Sequence, residues 1–281
     1  MAQPISVSTA AFDGYDLPVA LDEIAGAGGK AVEIAYIKGY VSFDETAFTP
    51  ANAAAVARAL SQSGLSSMAV SAHVNASLPE AVEQLKRRMD FARRIGANIV
   101  ITNAGPASLR DNLKQNLDQL IPEAAAQNVV IAFENPGHGS GDLLSTVADA
   151  ADLVQSVGSP WVRINYDIGN IFTYSREQIH PEDDFEAVLA YVAHLHLKDV
   201  HSTPEGWTFT SIGDGSINYK KILRRLSQLG STAPVGIELP LRLKRPGRQD
   251  PFRAPDPLPL SMIRAAVMRS LDFVESELSA V

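Results

Sequence analysis

Four short segments of this 281-residue chain carry side chains that, brought together, would hold a divalent cation and move a proton. They are Glu134 in VVIAFENPGH, Asp167 in VRINYDIGN, His196 in AHLHLKD and Glu238 in VGIELP. Three carboxylates that meet without a partner repel one another, and their pKa values rise. A cation removes that penalty. A set of three carboxylates and one imidazole suits Mn²⁺, Mg²⁺, Co²⁺ or Zn²⁺, with geometry and availability deciding among them. Cysteine is absent, which excludes disulfides, thiolate ligands and thiol nucleophiles. Each residue alone has a plainer reading, as a solvated strand-end acid or a hydrogen-bonded core histidine. Their positions along the chain give the set its meaning.

Those positions follow from the elements around them. Short β-branched runs over residues 5–9, 31–36, 67–72, 98–102, 129–134, 161–167, 193–198 and 234–239 read as strands. Helical patterns fill the intervals at 16–27, 50–63, 79–95, 108–127, 142–157, 183–192, 217–229 and 260–277. Strict alternation predicts parallel strands with crossover helices, and eight such units close into a (β/α)8 TIM barrel, here one α/β domain over residues 1–281. Gly64, Gly96, Gly158 and Gly230 each follow a predicted helix, where a left-handed cap favours glycine. No glycine-rich dinucleotide fingerprint follows the first strand, where Thr9-Ala10-Ala11-Phe12 stands instead. Residues 240–259 are rich in proline and arginine and read as a long ordered loop after the eighth strand.

Barrel enzymes place their chemistry at the C-terminal ends of the strands, and that is where Glu134, Asp167, His196 and Glu238 fall. Strand parity agrees. Glu134 shares a face with Ala132 and Val130, Asp167 with Asn165 and Arg163, Glu238 with Gly236, and His196 with His194 and Lys198, while Leu195 and Leu197 face the helices. Glu33 and Arg163 are inward too, but read as structural core polar groups.

Composition narrows the function. Hydrophobic residues at 46% and charged residues at 20% describe a globular chain with ample core material. A net charge of −8 without basic runs argues against nucleic-acid binding. With no secretory pattern and no long apolar stretch, the expectation is a cytoplasmic enzyme without a membrane partner that acts on a small molecule, as a monomer or a homo-oligomer.

ENPGH, YDIGN, HLHLKD, SIGDGSINY and GIELP resemble, in order and spacing, the conserved segments of the xylose-isomerase-like barrel superfamily. Its sugar-phosphate isomerase/epimerase group is most similar, with ketose 3-epimerases, hydroxypyruvate isomerases and inosose dehydratases. The resemblance implies one divalent ion, Mn²⁺ by preference, on Glu134, Asp167, His196 and Glu238. It also implies that Glu134 and Glu238 form the acid/base pair, passing a proton through a metal-stabilised enediolate of a keto sugar, sugar acid or sugar phosphate. Two departures bear on the reaction. Ser140 stands where the epimerases have a further substrate-binding glutamate, and Asn170 where several relatives have histidine. The same site would serve a dehydratase or carbon–glycoside lyase by β-elimination from a keto sugar or cyclitol. Abasic-site endonucleases share the fold but use several more histidines, which are absent here.

Further candidates for substrate contact are His73, Asn103, Asn135, His138, Asn170 and Lys198. Of the basic residues Arg242, Lys244, Arg245, Arg248 and Arg253, Arg242 is the first choice because it follows Glu238 by only four residues.

Overall fold

The structure, a computed structural model, describes residues 3–135 and 141–280. Eight parallel strands close into a barrel: β1 (Ile5–Ser8), β2 (Ala31–Tyr36), β3 (Ser66–Asn75), β4 (Ile99–Asn103), β5 (Val130–Glu134), β6 (Val162–Asp167), β7 (Val192–Leu197) and β10 (Val235–Ile237). Pairing of Ile5 with Val235 and of Val7 with Ile237 shuts the ring. The helices that return the chain are α1 (Leu17–Gly26), α2 (Pro50–Ser63), α3 (Ala81–Arg94), α4 (Arg110–Gln127), α5 (Val147–Val157), α8 (Tyr219–Gln228) and α9 (Leu260–Ser279). None of the described helices is long and apolar enough to cross a membrane.

Local chemistry sets the ends of these elements. Thr49 caps α2 by accepting the Asn52 N–H, Pro50 fits the first turn, and Gly64 closes the helix at φ 67°. A reciprocal capping box between Thr146 and Asp149 starts α5. Side-chain parity then builds two layers. Ile34, Val70, Phe133, Ile164, Leu195, Leu197 and Ile237 face the helices in the main core. Inside the ring, Ala69, Ile99, Ile101 and Ala132 make a small separate plug. The rest of the interior is polar, and Glu33, Asn165, His194 and His196 are all fully buried there.

Three elements differ from the sequence expectation. The helix expected at 183–192 is a short α7 (Pro181–Asp184) followed by a 3-10 helix over Phe185–Tyr191. A helix not foreseen, α6 (Ile168–Tyr174), starts directly on the last residue of β6. Residues 240–259 do not form a strand-free loop. Within them β11 (Leu243–Pro246) and β12 (Phe252–Arg253) join the hairpin β8 (Asp199–Thr203) and β9 (Gly206–Thr210) in a four-stranded antiparallel sheet. Burial of Trp207, Leu243 and Arg245 supplies the face that holds this sheet down.

Candidate functional site

Glu134, Asp167, His196 and Glu238 meet at the C-terminal ends of β5, β6 and β7 and just beyond the end of β10, all buried. His196 Nδ1 lies 3.2 Å from Glu134 Oε2, 3.4 Å from Glu238 Oε2 and 3.8 Å from Asp167 Oδ2. Adjacent ligands of one octahedral ion with bonds of about 2.1 Å sit about 3 Å apart, so the four atoms need little movement to share an ion. Buried Asp167 Oδ2 and Glu238 Oε2 both lie within 2.8 Å of the Lys198 ammonium, so these oxygens already hold a cation that a metal would displace. The residues fit a divalent metal.

Three of the four side chains are held from behind. The His196 ring donates from Nε2 to Glu33 Oε2 at 2.7 Å, so a metal that displaces the second proton of the ring would find Nδ1 as the nitrogen left to bind it. Asn165 Nδ2 reaches Glu134 Oε2 and His196 Nδ1, each at 3.0 Å. Asp167 Oδ1 caps α6 by accepting the Asn170 N–H at 2.8 Å, so the cap orients Oδ2 toward the centre. Asn135 ties the strand ends together, accepting the Asp167 N–H and donating to its carbonyl. Asn170 Nδ2 donates to Glu134 Oε1 and to the Asn135 carbonyl.

Lys198 enters the same cluster. Its Nζ lies 2.7 Å from Asp167 Oδ2 and 2.8 Å from Glu238 Oε2, and 3.4 Å from Asn170 Oδ1. Burial works against the ammonium, but Asp167 and Glu238 outweigh it and push its pKa well above the ordinary lysine range. Burial raises Asp167 to about 6, opposed by Lys198 and reinforced by Glu134 and Glu238. Burial would also raise Glu134, yet His73, His196 and Lys198 bring that carboxyl well below the usual range. Burial depresses His73 itself, so at neutral pH the charges that sustain Glu134 are those of His196 and Lys198.

The remaining candidates divide. His73 Nε2 is 3.5 Å from Glu134 Oε2, so it belongs to the cluster. Asn103 pairs in register with Glu134 at the strand ends, and its carbonyl accepts the Ala76 N–H. His138 and Ser140 lie outside the described residues. Arg242 has other partners. Its Nε and Nη2 donate to the Ala254 and Pro255 carbonyls, and its Nη1 to the Asp13 carbonyl, 3.4 Å from the Asp13 carboxylate. All three nitrogens fasten the loop, so the side chain is committed to the loop backbone and Asp13.

Sequence reasoning missed other contributors. Glu33 and Asn165 had the right parity, but only the closed ring shows which ligand each supports. Tyr40 lies within the field of Lys198, Glu238, Tyr174 and Glu134, and burial raises its hydroxyl. Asp199, next to Lys198, accepts the N–H groups of Val200, Gly213, Gly215 and Ile217. That pins the SIGDGSINY segment beneath the small sheet. A Cβ on Gly215 would sit 2.1 Å from the Asp199 carboxylate, so glycine is needed for the close approach.

His194 gives a pH prediction. Burial lowers its pKa to about 3, and Nδ1 bonds Asn165 Oδ1 at 2.9 Å. The unfolded chain takes up this proton near pH 6.5, while the folded chain resists it down to about 3. The stabilisation is therefore complete above about pH 6.5 and is lost as pH falls, at up to about 1.4 kcal/mol per unit. Urea midpoints measured from pH 7 to 4.5 should fall steeply in the wild type and less in His194→Gln. Equal slopes would remove the assignment.

Comparison with known proteins now has a geometry to stand on. Residues 21–256 match the family described as xylose isomerase-like TIM barrel. The chain belongs to that family. A Mycobacterium smegmatis xylose isomerase-like barrel solved with magnesium superposes with a TM-score of 0.74 at 17% identity, over 99% of this chain and 98% of that one. A D-tagatose 3-epimerase-like protein gives a TM-score of 0.72 at 18% identity, over 99% and 98%. At these identities the likeness is one of fold. An uncharacterized protein of Methanocaldococcus jannaschii is 22% identical over 166 residues, and the match spans only 56% of either chain.

Proposed function

We propose that this chain is a divalent-metal-dependent isomerase or epimerase of a keto sugar, sugar acid or sugar phosphate. The observation that carries the reading is the convergence of Glu134, Asp167, Glu238 and His196 Nδ1 on one buried point at the ends of neighbouring strands. These four residues would hold the metal. When bound, it would polarise a substrate carbonyl and a neighbouring hydroxyl oxygen, making the α-hydrogen acidic.

The chain's own groups do the rest. One of Glu134 and Glu238 removes the α-proton, and the other returns a proton from the opposite side. Glu33 keeps Nδ1 of His196 available as a ligand. Asn170 and Asn165 hold the two Glu134 oxygens, so that carboxylate presents a fixed face. Lys198, already charged, offsets negative charge that develops on substrate oxygen.

The test is a purified protein stripped with chelator and reloaded with Mn²⁺, Mg²⁺, Co²⁺ or Zn²⁺. It is then incubated with 2-keto and 3-keto sugars in deuterated buffer. Deuterium should enter the carbon next to the carbonyl without loss of water, and the stripped protein should be inert. A protein that binds none of these ions would defeat the reading. Lys198 favours a second outcome at the same site, because an ammonium beside Asp167 and Glu238 can also protonate a departing β-hydroxyl. Loss of water or aglycone in the same incubations would assign a dehydratase or lyase instead.

Lys198 also predicts metal affinity. Its ammonium competes for the two oxygens a metal would take. Lys198→Met should bind Mn²⁺ about tenfold more tightly in calorimetric titration, a change of about 1.4 kcal/mol. Unchanged or weaker binding would show that the lysine does not compete.

A further inference from the structure

Arg88, Arg242 and Arg245 are the buried arginines, with 0%, 9% and 4% of their surface exposed. Arg88 pairs with Glu45, and Arg242 with Asp13. Arg245 has no carboxylate partner among the described residues. Its Nε donates to the Gln249 carbonyl at 3.0 Å, while no hydrogen bond or ion pair accounts for Nη1 or Nη2 among those residues. Burying a guanidinium without a counter-charge is costly. Here two aromatic faces offset part of the cost. The guanidinium carbon sits 4.4 Å from the Tyr174 ring centre and 4.8 Å from that of Trp207. Trp207 is itself held by Glu177 Oε1 through its indole N–H.

This arginine adjoins the chemistry. Tyr174 ends the helix that Asp167 begins, and it lies within the fields of Arg245, Lys198 and Asp167 together. Tyr40 in turn lies within the fields of Tyr174, Glu134 and Glu238. Helix α6 therefore joins the two: Asp167 caps it and its Asn170 donates to Glu134, while its last residue, Tyr174, stacks on the arginine. A guanidinium with both terminal nitrogens free and its plane clamped by rings is preorganised for a planar or tetrahedral oxyanion.

We infer that Arg245 is an anion subsite, which takes a terminal carboxylate or phosphate of the substrate while its carbonyl end lies at the Glu134–Glu238 centre. The inference rests on the proposed sugar chemistry and narrows its substrate class to acidic keto sugars. Arg245, not Arg242, is then the specificity-determining cation of the loop after β10.

The test titrates inorganic phosphate, gluconate and the neutral ketose D-fructose calorimetrically into the wild type, Arg245→Gln, Arg245→Lys and Arg248→Gln. Manganese stoichiometry is measured first on each. At least one of the two anions should bind the wild type and Arg248→Gln alike, at least tenfold more weakly to Arg245→Gln and to an intermediate degree to Arg245→Lys. Whichever of phosphate and gluconate binds identifies the anion type. Should Arg245→Gln not fold, the Arg245 Nε–H resonance of the wild type provides the readout, and it should shift on addition of the bound anion. Anion binding unaffected by Arg245→Gln, no anion binding to the wild type, or an unmoved resonance overturns the subsite. Absence of bound manganese instead overturns the proposed reaction, and the anion titrations are read separately on the same protein.

Discussion

Glu238→Gln should leave the protein folded and lower its turnover of a keto sugar by about 10²–10⁴-fold, the range expected for loss of one proton-transfer group. The side chain is 1% exposed, and its Oε2 lies 2.8 Å from the Lys198 ammonium, so an amide of the same shape keeps the volume but gives up one of that ammonium's two carboxylate partners. The cluster around it is crowded with negative charge. Among the described residues, Glu33, Glu134, Asp167 and Glu238 face only Lys198 and His196 as cations. Removing one carboxylate relieves repulsion but also unpairs Lys198 from one of its two carboxylates, so the two effects oppose and the metal-free variant should melt close to the metal-free wild type. It should also bind Mn²⁺ more weakly, because one ligand oxygen is lost. Kinetics, melting temperature and calorimetry together separate the roles. A variant that keeps wild-type turnover would remove Glu238 from the acid/base pair.

Gly169→Ala should be the most damaging substitution of a residue that carries no functional group. A Cβ there would lie 2.4 Å from the Lys198 carbonyl oxygen and 2.8 Å from the Lys198 Cβ. The first of these is backbone, and Lys198 is anchored on both sides of the peptide, its N–H and carbonyl both meeting the Tyr219 hydroxyl. Neither partner can give way cheaply, so α6 must shift. The expected cost is about 3 kcal/mol or more, read from urea unfolding. The shift would also disturb the Asp167 cap and the Asn170 contacts to Glu134, so manganese affinity should fall with stability. An alanine variant as stable as the wild type would show that α6 can slide on β7 freely.

The barrel was legible because its strands are β-branched runs separated by long helical patterns, a rhythm that survives in sequence without any partner information. The direction of the four clustered side chains was legible for the same reason, since parity along a strand needs only one anchor. What could not be read were relations between distant segments. Glu33 and His196 are far apart in sequence, and only closure of the ring sets them 2.7 Å apart. Arg242 and Arg245 are both cations of one proline-rich segment, and nothing local distinguishes them. Asp13 takes the first, while Tyr174 and Trp207 clamp the second. The helix α6 escaped notice because it is short and begins on a residue already assigned to a strand. The small sheet was missed because its strands are brief and two of them follow prolines.

The grip of Asp199 on the backbone of residues 200–217 divides the molecule's labour. The four clustered side chains stand at the ends of barrel strands, whereas Trp207 and Arg245 belong to an appended sheet whose hairpin Asp199 closes and whose outer strands Asp13 holds through Arg242 and Arg253. The two can be rewritten independently. A library confined to the β9 and β11 faces, with Asp199 and its glycines kept, should change which compounds are accepted and leave the chemistry applied to them alone. On the proposed function, that separation makes the protein a practical starting scaffold for redirecting sugar interconversion to new feedstocks.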